Sequence, residues 1–327
     1  MNTLPWRRIL TAAGPFVVLV ALIILLRMQV GPTFLGYYNI HSILQQTLIV
    51  AVGAVGMTVI IISGGIDLSC GSVVALCGMV TAWVLACPGC PTWLAIPAGI
   101  GAGMLAGVVN GGLIAGVRLA PFIVTLGTMS IARGLAKMIG GNGTINFSPS
   151  WVDSLMQRPV EPGAHAAWWQ WLSLPTSIWI LIVLVLGMAV LLRASTFGRR
   201  AYAIGSNEAA ARLCGIRVGW NQIAIYTLAG ACFGLAGIFQ TARLGQGDST
   251  TAVGLELDII AAVIVGGASL NGGVGTVMGS IIGAFLMSTL RNGVNQMDMP
   301  SYWEEILIGS AIVVAVGLDR LRQRTRL

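Results

Sequence analysis

The chain has 327 residues, of which 56% are hydrophobic and only 9% are charged, whereas a soluble domain carries about 25% charged residues. A soluble globular enzyme is excluded, and the chain reads as an all-α polytopic membrane protein with a single transmembrane domain over residues 1–327. The net charge of +7 does not point to nucleic acid, because the cations are spread over loops and tail without interleaved aromatics and membrane topology accounts for them.

Taken in order, Trp6-Arg7-Arg8 before the apolar run 9–26 resembles the start of a signal peptide. The apolar part is long and no small-x-small cleavage site follows, so it reads as an uncleaved first span. Runs able to cross about 30 Å of hydrocarbon fall at 15–30, 43–63, 71–86, 94–117, 121–140, 176–192, 222–241, 255–268, 275–290 and 302–318, which makes about ten spans. The third, eighth and ninth are short and bounded by glycine, as expected of tilted helices or of broken ones buried against others. With the N-terminus inside, Arg7, Arg8, Arg118, Arg193, Arg199, Arg200, Arg212, Arg217, Arg320, Arg322, Arg324 and Arg326 all lie inside, and Arg27, Arg133, Lys137, Arg158, Arg243 and Arg291 do not. That bias of about two to one predicts an even number of spans with both termini in the cytoplasm. Segment 141–175, with Trp151, Trp168, Trp169 and Trp171, is then periplasmic, its tryptophans reading as lipid-interface anchors rather than a sugar-stacking platform. Of six cysteines only Cys87-Pro-Gly-Cys90 forms a close pair, compatible with a disulfide and equally with small residues in a turn.

Two glycine ladders stand out. Gly99, Gly103, Gly107 and Gly111 repeat every four residues in the fourth span, as do Gly275, Gly279 and Gly283 in the ninth, and each lets another helix approach closely. Five spans apart, they run oppositely, as in an inverted repeat. A second likeness, Gly64-Gly65-Ile66-Asp67-Leu68-Ser69 to Gly266-Gly267-Ala268-Ser269-Leu270-Asn271, joins loops on the same side and does not fit such a repeat.

The polar island at 197–217, within a cytoplasmic loop 194–221, interrupts the apolar series and carries four cations, Arg199, Arg200, Arg212 and Arg217, with Arg193 just before the loop. Ser206 or Asn207 caps a short helix, Glu208 lies in its first turn, Ala209 to Ala211 favour helix and Gly215 stops it. A short surface helix clamped between spans suits insertion into a partner's groove. No phosphate-binding loop, metalloprotease motif, nucleophile elbow or metal-ligand cluster occurs, so neither a catalytic nor a metal site is expected. Asp67 and Asp258 lie in or beside spans. An aspartyl-protease pair would need them together, whereas Asp67 reads as a cap on the following helix, and neither acid has an evident basic partner. Neutral polar residues remain: Gln45, Gln46, Thr47, Ser63, Ser69, Asn110, Thr125, Thr128, Asn271, Ser288, Thr289 and Asn292. They suit a path for a hydroxyl-rich solute, although any one of them can simply bond a neighbouring helix.

Four stretches, Ile62-Ser-Gly-Gly-Ile-Asp-Leu-Ser-Cys-Gly-Ser72, Pro121-Phe-Ile-Val-Thr-Leu-Gly-Thr128, Ala203-Ile-Gly-Ser-Asn-Glu-Ala-Ala-Ala211 and Val265-Gly-Gly-Ala-Ser-Leu-Asn-Gly-Gly-Val-Gly-Thr276, resemble the permeases of the ribose, xylose and autoinducer-2 class of ABC importers. The resemblance implies ten helices with inverted halves, like the vitamin B12 importer. It implies that Asn207 to Gly215 couples to a cytoplasmic ATPase holding ATP and Mg, with no cofactor on this chain. It also implies a second permease subunit, identical or paralogous, and a periplasmic sugar-binding protein. Arg199, Arg200, Asn207, Glu208, Ala209, Ala210, Arg212 and Gly215 are the expected ATPase contacts, and Asp67, Ser69, Asn110, Thr125, Thr128 and Asn271 the expected pathway residues. The chain departs from the family at Cys70, usually aliphatic, and in its long Trp-rich segment. A branched-chain amino acid permease of the same superfamily and an ion-coupled carrier are the competing expectations.

Overall fold

The computed structural model describes residues 5–157 and 174–324. Trp168, Trp169 and Trp171 fall outside the described residues; Trp151 is exposed, its indole nitrogen 3.3 Å from the Thr92 hydroxyl. The helices are α1 (Pro5–Val30), α2 (Tyr37–Ile62), α3 (Cys70–Ala86), α4 (Ala95–Val117), α5 (Pro121–Gly140), α6 (Thr176–Ala194), α7 (Thr196–Ser206), α8 (Glu208–Leu213), α9 (Val218–Leu244), α10 (Leu255–Val265), α11 (Val277–Gln296) and α12 (Ser301–Arg324). Among the described residues six are long and apolar enough to cross a membrane: α2, α4 with the turn before it, α5, α6, α9 and α11. The chain is a polytopic helical membrane protein.

Helix α2 is apolar all round, and such a helix needs protein on every side. Residues 47–62 are all buried, ringed by α6, α9, α10 and α11. The outer helices instead present apolar side chains outward, among them Leu105, Ile123 and Val183, each more than half exposed. Only lipid or another membrane subunit satisfies such a surface.

The glycine ladders set how close the helices come. A Cβ on Gly103 would stand 2.1 Å from the Gly230 carbonyl oxygen, and one on Gly107 2.1 Å from that of Tyr226, so α4 and α9 cross antiparallel in backbone contact. Gly111 meets the Ile223 backbone, and Gly99 meets the Thr81 hydroxyl of α3. On the other ladder a Cβ on Gly279 would stand 2.1 Å from the carbonyl oxygen of Gly266, at the end of α10, and one on Gly283 1.9 Å from that of Ala262 in α10. Gly275 precedes α11 and packs on the Ile62 side chain.

The eighth span is a broken helix. Eleven residues of α10 rise only about 16 Å, so irregular backbone continues within the protein. The likeness between the 64–69 and 266–271 loops has a local cause. Gly64 (φ 85°) and Gly267 (φ 97°) each end a helix in the left-handed region. Gly65 and Ala268 each return an amide bond to the carbonyl five residues back, Ile60 and Val263. These are two Schellman stops, alike because they end helices the same way rather than through a repeat.

One feature was not anticipated. Strand β1 (Thr144–Asn146) pairs antiparallel with β2 (Gln246–Asp248), Ile145 opposite Gly247, so the long segment after α5 begins as a ribbon tied to the end of α9. Of the two readings open for Cys87 and Cys90, the structure has the disulfide: they are joined.

Candidate functional site

The polar island folds as α7 and α8. The Ser195 hydroxyl accepts the Gly198 amide at 3.1 Å, and of the two cap candidates for α8 it is Asn207 whose side-chain oxygen accepts the Ala210 amide at 3.0 Å. Gly215, at φ 79°, closes α8 with another Schellman pair to Arg212 and Ala211. Inward α8 commits only Ala211; Glu208, Ala209, Ala210, Arg212 and Leu213 are exposed, Leu213 at 90%. Glu208 and Arg212 bridge one turn, with the Arg212 Nε 3.1 Å from the Glu208 Oε1. That exposed pair is worth about 0.3–0.5 kcal/mol and holds the short helix together. Arg199 and Arg200 project from α7, and a groove of about 570 Å³ beside them is lined by Phe197, Arg200, Gly215, Arg217 and Trp220.

The end of α7 is wedged between the two Schellman turns. A Cβ on Gly205 would lie 1.8 Å from the Ile62 carbonyl oxygen and 2.7 Å from the Gly273 nitrogen, while Gly273 donates its amide to Ile62 at 2.8 Å. The Tyr202 hydroxyl donates to the Gly275 carbonyl at 2.8 Å. Burial pushes the Tyr202 phenol above its ordinary pKa, with Arg193 pulling it down, so the donor stays protonated across the physiological range.

Directly beyond the α2–α3 turn lies a buried polar network. Asp67 Oδ1 accepts the Ser69 amide and hydroxyl at 2.7 and 2.5 Å, and Asn110 Nδ2 donates to the Ser69 hydroxyl at 3.1 Å and to Asp67 Oδ2 at 3.4 Å. Thr128 completes it by donating to Asn110 Oδ1 at 2.6 Å, and Thr125 stands beside it on the same α5 face, its hydroxyl 3.5 Å from the Ile66 carbonyl. Two helices, α4 and α5, and the α2–α3 turn thus bring Asp67, Ser69, Asn110, Thr125 and Thr128 together, all buried. Asp67 does not cap α3, as the sequence had led us to expect: its carboxylate is taken by Ser69, the residue before the helix.

Residues 39–316 match the family described as branched-chain amino acid transport system / permease component. The chain belongs to this family. Among curated relatives this permease is 38% identical over 315 residues to the ribose import permease protein RbsC of Escherichia coli K12, covering 93% of each chain. It is 37% identical to the Bacillus subtilis ribose import permease protein RbsC, over 94% of this chain and 92% of the relative. To the xylose transport system permease protein XylH of Escherichia coli K12 it is 33% identical, over 94% and 91%. No solved structure matches it.

Other expected residues of the permease lie apart from the network. Asn271 sits exposed in the α10–α11 turn, its amide 3.3 Å from the Ser269 hydroxyl. Asp258 has the basic partner that the sequence did not reveal: Arg291 of α11, at 2.8 Å, which also reaches Glu304 of α12 at 2.7 Å. With Asp67 bound to Ser69 and Asn110, and Asp258 to Arg291, the two acids form no protease dyad. Several neutral polar groups bond neighbours instead: Gln45 reaches the Met156 carbonyl and Asn292 reaches Asn39. Sequence reading missed Tyr202, Gly205 and Arg291. For Arg291, a charge inside an apolar run was the available signal.

Proposed function

We propose that this chain is the membrane permease subunit of a bacterial ABC importer for a monosaccharide or related polyol, sited in the inner membrane with about ten spans and both termini cytoplasmic. The similarity to ribose and xylose import permeases over more than nine-tenths of the chain carries this reading. A partner ATPase that holds ATP and Mg docks on α7 and α8, a periplasmic sugar-binding protein delivers substrate, and a second permease subunit encloses the path. Opposite swaps of partners between halves support inverted repeats like those of the vitamin B12 importer: α9 packs on α3 and α4, while α2 packs on α10 and α11. The family description points to branched-chain amino acids as a second reading. The carboxylate, amide and hydroxyls of the buried network favour a hydroxylated solute over an aliphatic one.

Co-purification of the tagged protein from native membranes in mild detergent tests the assembly. Wild type is expected to bring an ATPase, and Glu208→Lys with Arg212→Glu to lose it. The exchange keeps an opposite-charge pair one turn apart, so the helix loses only a few tenths of a kcal/mol while its docking face is inverted. An ATPase retained by the double variant, with uptake intact, would end the coupling assignment. Uptake of labelled leucine but of neither pentose would transfer the protein to the second reading.

A further inference from the structure

Along α5, Gly127, Ser130, Arg133, Gly134 and Lys137 recur at steps of three and four and form one face. The neighbouring face carries Ile131 and Leu135, exposed and apolar. Cations within a membrane helix turn toward partners or a water-filled cavity, not toward lipid. Here the polar face forms one wall of a groove of about 410 Å³ whose other walls include Ser72 of α3 and Glu256 of α10, a size usual for small-molecule sites.

The wall is built rather than loose. Arg133 Nη1 donates to the carbonyls of Ser249 and Thr251 at 2.9 and 2.7 Å, which fixes the guanidinium and leaves the rest of its donor fork for other use. Glu256 is set against Gly71, where a Cβ would stand 2.2 Å from Oε2, and that oxygen is buried without a hydrogen-bond partner. That oxygen is packed against α3 and anchors the side chain, so contact with a solute falls to the rest of the Glu256 side chain, which lines the groove. Arg133 lies within electrostatic reach of Glu256 and Asp248. The lining holds two cations, Arg133 and Lys137, and one anion, Glu256, and Asp248 beside Arg133 supplies a second negative charge from outside the lining; the neighbourhood as a whole is neutral, as suits a neutral solute.

We propose that this groove is a transit site for a neutral polyol, in which Arg133 and Glu256 hold adjacent hydroxyls as planar donor and planar acceptor and Ser72 and Ser130 line the way past them. The proposal rests on the sugar-permease reading and places the site on the outer half of the bundle, beside the β1–β2 ribbon.

The test uses the whole importer, with its ATPase and binding protein, in proteoliposomes that take up labelled ribose or xylose. A wild type that takes up neither sugar overturns the permease reading before the site is reached. With wild type active, Glu256→Gln is expected to lower the maximal uptake rate about tenfold and leave the half-saturating sugar concentration, a property of the binding protein, unchanged. A second variant does not depend on Glu256 folding well. Ser130→Cys is expected to keep a measurable uptake that a membrane-impermeant thiol reagent added from the outer side abolishes, while the uptake of Ile131→Cys, one step round the helix, does not respond to the reagent. Of the free native thiols among the described residues Cys70, Cys77 and Cys232 are buried and Cys214, at the α8 end, is exposed, so reagent-treated wild type is the control and is expected to keep transporting. Wild-type rates in Glu256→Gln and in reagent-treated Ser130→Cys would overturn the site.

Discussion

What a methyl group would meet decides the worth of a glycine in this bundle, and α4 holds both extremes. Gly107 lies under the Tyr226 carbonyl of α9, where a Cβ would stand 2.1 Å from the oxygen, while Gly116 on the same helix has nothing within 4 Å. A clash with backbone cannot be relieved by turning a side chain, so α4 must move off α9 and the cost is that of overpacking, about 1–3 kcal/mol or more. In the open position alanine removes glycine's penalty in a helix interior, worth up to about 1 kcal/mol. Gly107→Ala is therefore expected to lower the melting temperature in mild detergent, and Gly116→Ala to leave it unchanged or raise it. Equal behaviour of the two would mean that the close α4–α9 crossing is not what these glycines serve.

At the scale of elements, one cation ties three helices. Arg291 of α11 bridges Asp258 of α10 and Glu304 of α12, with Asp258 buried. Removing one member of such a set leaves unpaired charge inside and costs about 3–5 kcal/mol, at the lower end here because Arg291 is partly exposed. Arg291→Gln is expected to cut the yield of monodisperse protein, and adding Asp258→Asn to recover part of it, since the pair then leaves one stranded carboxylate rather than two. If the double variant is no better than the single one, Arg291 stabilises through packing alone. This triad also shows where sequence reading stops. The stops of α8 and the four-residue spacing of the α4 ladder are local, so chain order displays them. The partners of Arg291, Tyr202 and Gly205 lie on other elements, from Glu304 in the next helix to Ile62 more than a hundred residues away, and no periodicity announces such meetings. The β1–β2 ribbon escaped for the same reason: each strand has three residues, too short for an alternation to register.

Across the whole molecule, the proposed docking surface and the polar network are joined by backbone rather than by side chains. From the exposed face of α8 the chain runs back through Asn207 to Gly205, which touches Ile62 at the end of α2 and Gly273 in the α10–α11 turn. The α2 end leads at once to Asp67 and its bonds to Ser69 and Asn110. Packed backbone is stiff, so a displacement of α7 and α8 by the proposed ATPase would shift both Schellman turns together and carry the network with them, as a switch between two packings requires. Gly205→Ala puts a methyl into this junction while leaving Glu208, Arg212 and Leu213 free on the docking face. The expected result is an importer that still co-purifies with its ATPase and hydrolyses ATP, but takes up sugar at a tenth of the wild-type rate or less, because the motion is no longer passed on. Loss of the ATPase together with uptake would instead make Gly205 a residue that merely shapes the docking site. Uptake at the wild-type rate would show that the two turns are driven by some other contact, for which the Tyr202 bond to Gly275 is the next to cut, with Tyr202→Phe.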